Sequence, residues 1–73
     1  MKPFVLRPYD HMAYDVYDRE TDEKIGYVLA GFVGWQGYLS SRPGECVARD
    51  TYQSGAAAKV YALHHSDEST VQS

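Results

Sequence analysis

The side chains best suited to chemistry are three histidines, His11, His64 and His65, one cysteine, Cys46, and a run of acids, Asp18, Glu20, Asp22 and Glu23. Successive residues on a helix point about 100° apart, so His64 and His65 are poorly placed to grip one ion. A lone cysteine supplies no zinc set of the CxxC or HxxxH kind. The histidine pair reads instead as a helix C-terminus complementing the dipole. Asp10-His11 is half of a triad, with no nucleophile or oxyanion hole in a recognisable setting. The acids mimic a calcium loop, yet the glycine and the closing glutamate that such a loop needs are missing. They read as a solvated hairpin tip. Glycines 26, 31, 34 and 37 form neither a GxGxxG nor a GxxxxGK[ST] phosphate loop and read as strand bends. No catalytic residue, metal ligand or cofactor is expected.

The elements that carry these residues must fit into 73 residues, and a chain this short hides only about 60% of the surface its unfolded form exposes. One domain is expected, over residues 1–66. An apolar share of 44% and a charged share of 23% suit a soluble globular chain. A single cysteine forms no internal disulfide, which favours a reducing compartment. The start Met1-Lys2-Pro3-Phe4 does not read as a signal peptide, and the uncharged stretch from Ile25 to Arg42 is too rich in glycine to span a bilayer.

Pro3 and Pro8 bias their predecessors to extended backbone, so residues 1 to 12 read as a short strand or a docked arm. In Tyr14-Asp15-Val16-Tyr17-Asp18 the alternation suits a half-buried strand. The polar run Arg19 to Lys24 then makes a hairpin whose tip lies near Glu20 to Asp22, and Ile25 to Ala30 forms the returning strand. Gly31 and Gly34 bracket Phe32-Val33 as a turn or bulge before a third strand, Trp35 to Leu39. Pro43-Gly44 marks a loop, and Glu45 to Tyr52 reads as a fourth strand. Ser54 is an N-cap candidate for one helix, residues 54 to 65, with a stripe of Ala57, Val60, Tyr61 and His64 against the sheet. Residues 67 to 73 hold one apolar side chain and read as a disordered tail. The expected fold is α+β: a small antiparallel sheet of three or four strands with one C-terminal helix packed on it.

The net charge of −3 argues against unaided nucleic-acid binding. Between Asp10 and Glu23 six acids face one base, Arg19, whereas from Gly34 to Lys59 the bases Arg42, Arg49 and Lys59 outnumber Glu45 and Asp50. An acidic hairpin of this kind can steer docking onto a basic protein surface. Trp35 reads either as the core centrepiece or as an exposed anchor. Candidate contact residues are Phe4, Arg7 and Tyr9 of the N-terminal arm, which could pair edge-on with a partner segment, the hairpin acids Asp18, Glu20, Asp22 and Glu23, and Trp35.

The Met1-Lys2-Pro3-Phe4 start, the acidic hairpin from Tyr14 to Val28, the lack of cysteine staples and the polar tail together resemble the small regulatory proteins of phages. In length and cast the whole chain resembles, more narrowly, the transcription regulators of lytic Xanthomonas phages. That resemblance implies binding to host RNA polymerase through the N-terminal part of its β′ subunit, near the RNA exit channel. It further implies a block of promoter-dependent initiation and, with the elongation factor NusA, readthrough of intrinsic terminators. The chain would act in the host cytoplasm, monomeric when free, without sequence-specific nucleic-acid contact of its own. The alternative is an anti-CRISPR-type inhibitor or another small acidic protein-binding module.

Overall fold

A computed structural model describes residues 2–71, with side chains as far as Ser66. Strands β1 (Phe4–Asp10), β2 (Ala13–Asp18), β3 (Lys24–Gly31), β4 (Gly34–Leu39) and β5 (Cys46–Asp50) precede one helix, α1 (Gln53–Val71). The strands form a single antiparallel meander in the order β1-β2-β3-β4-β5, and α1 packs on one face of it. The fold is therefore α+β with a C-terminal helix, as expected, but with five strands rather than three or four. The additional strand is the segment read as a strand or an arm. It pairs with β2 from Phe4↔Asp18 to Asp10↔Ala13. The Arg19 amide donates to the Pro3 carbonyl, so Pro3, Val5 and Arg7 turn their backbone groups toward β2, while Phe4, Leu6 and Pro8 turn theirs outward. Pro8 therefore costs the ladder nothing, because its missing N–H faces the free edge.

Side chains alternate across the sheet as the period of two requires. Phe4, Val16, Val28, Leu39 and Ala48 lie on the helix side, and all are buried. The register shift between Val16 and Tyr17 in the pairing of β2 with β3 leaves Ile25 as an extra residue, and the bulge turns it into the core. The helix meets the sheet through Ala56, Ala57 and Val60, a contact made close by glycine. A Cβ on Gly37 would stand 2.5 Å from one Val60 methyl, and one on Gly26 would stand 2.7 Å from the other. Two glycines thus form the seat for one valine. Of the expected helix stripe, Ala57 and Val60 are fully covered, and Tyr61 and His64 are half-buried.

The helix begins at Gln53, one residue ahead of the expected start, and its backbone runs on to Val71. Its N-terminus is not closed by Ser54. The Asp50 carboxylate lies against the first turn instead, so close to Gly55 that no Cβ would fit there. An anion in that position complements the helix dipole. The tail expected to be disordered, residues 67 to 73, lies outside the residues whose side chains are described. Among the described residues no helix is long and apolar enough to cross a membrane.

Candidate protein-docking site

A meander with one helix has two ends, and the turns divide between them. One end carries the β1–β2 turn, the β3–β4 turn and the β5–α1 corner. The other carries the β2–β3 hairpin tip and the β4–β5 loop. Phe32 and Val33 form the whole of the β3–β4 connection, because Gly31 and Gly34 already pair with each other. Both are fully exposed. A two-residue hairpin loop ordinarily takes Asn, Asp or Gly, so apolar residues here are not what turn geometry asks for. Tyr9 is 75% exposed, Tyr52 72% and Met12 52%. Five large apolar side chains thus share one end of the molecule.

The backbone holds these turns together. The register shift between Pro8 and Asp10 leaves Tyr9 as the unpaired residue of a bulge, which re-aims its side chain. The Ala30 amide donates to the Met12 carbonyl at 2.9 Å, tying the β1–β2 turn to β3. Gly34, with φ +124°, lies so near Asp50 and Thr51 that a Cβ would stand 2.5 Å from the Asp50 carbonyl oxygen. That contact brings the β3–β4 turn against the β5–α1 corner. The same device fixes two of the apolar residues: the Met12 amide donates to Asp10 Oδ1 at 2.8 Å and the Tyr52 amide to Asp50 Oδ1 at 2.9 Å. Each is an aspartate bonding to the backbone two residues on. Asp50 also pairs with Lys59 at 3.2 Å. The Tyr52 amide first, and then the Lys59 ammonium, hold its carboxyl below the usual range.

The opposite end is polar, yet it is not the bare acidic tip that composition suggests. Asp18 is only 5% exposed. Its Oδ1 accepts from the Glu20 amide at 2.9 Å and the Thr21 amide at 3.4 Å, and its Oδ2 lies 3.4 Å from His65 Nε2. It shapes the turn, and as a surface contact it is corrected. Asp22 sits in the left-handed region, φ 58°, and pairs with Arg7 at 2.6 Å. Glu20 and Glu23 remain exposed. Phe4 is likewise corrected: it is 5% exposed, belongs to the core cluster and packs on Tyr61 at 6.0 Å. Its place opposite Asp18 put both side chains on the helix face.

Arg7 is exposed, with its guanidinium 4.2 Å from the Tyr17 ring centre, and Tyr9 belongs to the apolar end. Trp35 is half-buried, packed against the core and edge-on to Tyr14 at 6.0 Å, with one flank in a depression it shares with Val33 and Arg49. That depression holds about 80 Å³ and another beside Pro3 and Tyr61 about 220 Å³. Small-molecule pockets run to roughly 300–1,000 Å³, so both are too small for one. The described residues include no cluster of His, Cys, Asp and Glu that could hold a metal ion. Met12, Phe32, Val33 and Tyr52 escaped the sequence reading. Phe32-Val33 between two glycines was the available signal, an apolar pair where a turn must face water.

No family model matches this chain, and neither a characterised protein nor a solved structure shows significant similarity to it.

Proposed function

We propose that this chain is a non-catalytic regulator that docks on host bacterial RNA polymerase at the N-terminal region of the β′ subunit. It inhibits promoter-dependent initiation and, with NusA, promotes readthrough of intrinsic terminators in the host cytoplasm. The observation that carries docking on a protein is the gathering of Tyr9, Met12, Phe32, Val33 and Tyr52 at one end. Contiguous exposed apolar surface on a small domain marks an interaction site, and aromatic anchors lose little entropy when a partner covers them. The choice of polymerase rests on the resemblance of the whole chain to the phage transcription regulators. A wedge of this size acts by preferring one polymerase conformation, with no active site required.

Purified transcription with host polymerase tests the reading. Addition of the protein is expected to lower the yield from a promoter and to raise readthrough at an intrinsic terminator, more so with NusA. Unchanged yields together with no binding to polymerase would reject it. Retention of a Cas complex from host lysate would favour the anti-CRISPR alternative.

A further inference from the structure

The two edges of the sheet differ. At β5 the Lys59 ammonium reaches across from the helix and donates to the Arg49 carbonyl at 2.6 Å, and a lysine over an edge is a device that blocks strand addition. At β1 the pairing with β2 turns the amides of Phe4 and Leu6 and the carbonyls of Phe4, Leu6 and Pro8 outward. No hydrogen bond from another part of the chain caps them among the described residues. The edge is also the longer, seven residues against five.

We propose that the outer edge of β1 receives an extended segment of the protein partner as a sixth strand, an inference that rests on the docking function above. Main-chain hydrogen bonds supply the affinity of such an addition, and alternate side chains supply its specificity. Side chains of the incoming strand that fall on the helix side pack beside the half-buried Leu6. Where β1 begins, a depression of about 220 Å³ is lined by Pro3, Asp18, Arg19, Glu20 and Tyr61. The Asp18 carboxylate there is already taken by the turn amides and His65 and Arg19 Nε donates to the Lys2 carbonyl at 2.7 Å, which leaves the exposed Glu20 to face the segment. A basic side chain at that end of the segment fits it. A second copy of this chain is the poorer occupant, because a two-fold contact repeats every defect and the missing Pro8 donor would be met twice. The apolar end and this edge are then two contacts of one partner, joined at Tyr9.

The test uses the full chain made by chemical synthesis with Leu6 N-methylated, which removes an outward N–H and no bond within the sheet. N-methylation at Arg49, whose N–H faces outward on the β5 edge between the paired Ala48 and Asp50, is the control. Affinity for host polymerase is expected to fall about tenfold with Leu6 modified, the equivalent of one lost hydrogen bond of about 1.4 kcal/mol, and to hold with Arg49 modified. Equal binding by both would overturn the proposal, as would self-association of the unmodified chain that Leu6 methylation abolishes. If methylation disturbs folding, hydrogen exchange on the unmodified protein decides. Bound to polymerase, the Phe4 and Leu6 amides should exchange at least tenfold more slowly, and unchanged exchange rejects the edge.

If the unmodified protein does not bind polymerase, the functional reading falls while the edge is still decided. The probe is then an acetylated, amidated heptapeptide of alternating Thr and Val with Lys at both ends. It should slow exchange at Phe4 and Leu6 more than its Glu-ended counterpart does. No slowing, or equal slowing by both peptides, rejects the proposal.

Discussion

The two ends of this molecule use one backbone device for opposite purposes. Asp10 and Asp50 at one end, and Asp18 at the other, each accept an amide two residues further on. At the first end the turns so formed present Met12 and Tyr52 to water, beside Phe32, Val33 and Tyr9. At the second end the aspartate itself goes inside and the tip shows Glu20 and Glu23. A buried carboxylate is tolerated only when its oxygens are bonded, and Asp18 has the turn amides and His65 around it. Local turn chemistry therefore does not decide what an end displays. The residue placed after the aspartate does.

The sharpest way to break this comparison is to make the apolar end polar. Phe32→Ser with Val33→Ser is expected to weaken partner binding by about 30-fold or more, since anchors of this kind cost about 2 kcal/mol or more when truncated. Thermal unfolding should stay within about 0.5 kcal/mol of the parent, because both side chains are exposed. Titration of labelled protein into polymerase reads the first and calorimetry the second. Binding that survives intact would move the contact away from this end.

Next in size is the contrast between the aspartates. Asp18→Ala takes the acceptor from the part-buried Glu20 and Thr21 bonds and empties the space of a buried side chain, an expected cost of about 1–3 kcal/mol. Asp10→Ala removes a similar bond at an exposed turn, for about 0.5 kcal/mol. Denaturant midpoints measure both. Equal losses would mean that burial of Asp18 contributes nothing beyond the bond it makes.

Much of this arrangement was legible in the sequence, for reasons tied to particular residues. Alternation in Tyr14 to Asp18 and the alanine-rich run after Ser54 gave a hairpin strand and the helix, because burial of one face is written in the spacing. The same alternation placed Asp18 with Tyr14 and Val16 on the inner face. Composition, which counts all acids alike, grouped it with Glu20 and Glu23. The fifth strand was ambiguous because prolines forbid inner-strand bonding, and only the pairing with β2 shows that Pro8 faces outward. Gly26 and Gly37 read as bends, whereas they are the floor under Val60, a contact between residues distant in sequence. The apolar end was the least visible, since its residues come from three turns that the meander alone brings together.

A smaller effect is expected at the polar end. Reversing Glu20 and Glu23 to lysine should slow association with a basic partner several-fold at low salt and reduce its salt dependence, without unfolding the domain, because exposed charges act mainly on the encounter rate. Stopped-flow association at two ionic strengths reads it. Reversal of all four acids is a poorer experiment, as it would add the structural loss of Asp18 and release Arg7 from Asp22. An unchanged rate would take the tip out of the encounter.

The smallest effect tests how the apolar end is held. Asp50 has its carboxyl lowered by the Tyr52 amide and by Lys59, so the folded state binds the proton less readily than the unfolded chain. A group lowered in this way contributes stability above its unfolded value, about 3.9, and that contribution disappears as pH falls through the lower folded value. The carboxylate is at the surface, so solvent screening keeps the effect small. The thermal midpoint of Asp50→Asn should therefore lie slightly below that of the parent at about pH 6, and the two should converge as pH falls below the lowered folded value, where the parent carboxyl is also neutral. A gap that persists in acid would show that shape at the β5–α1 corner, and not the charge of Asp50, keeps Tyr52 beside Phe32 and Val33.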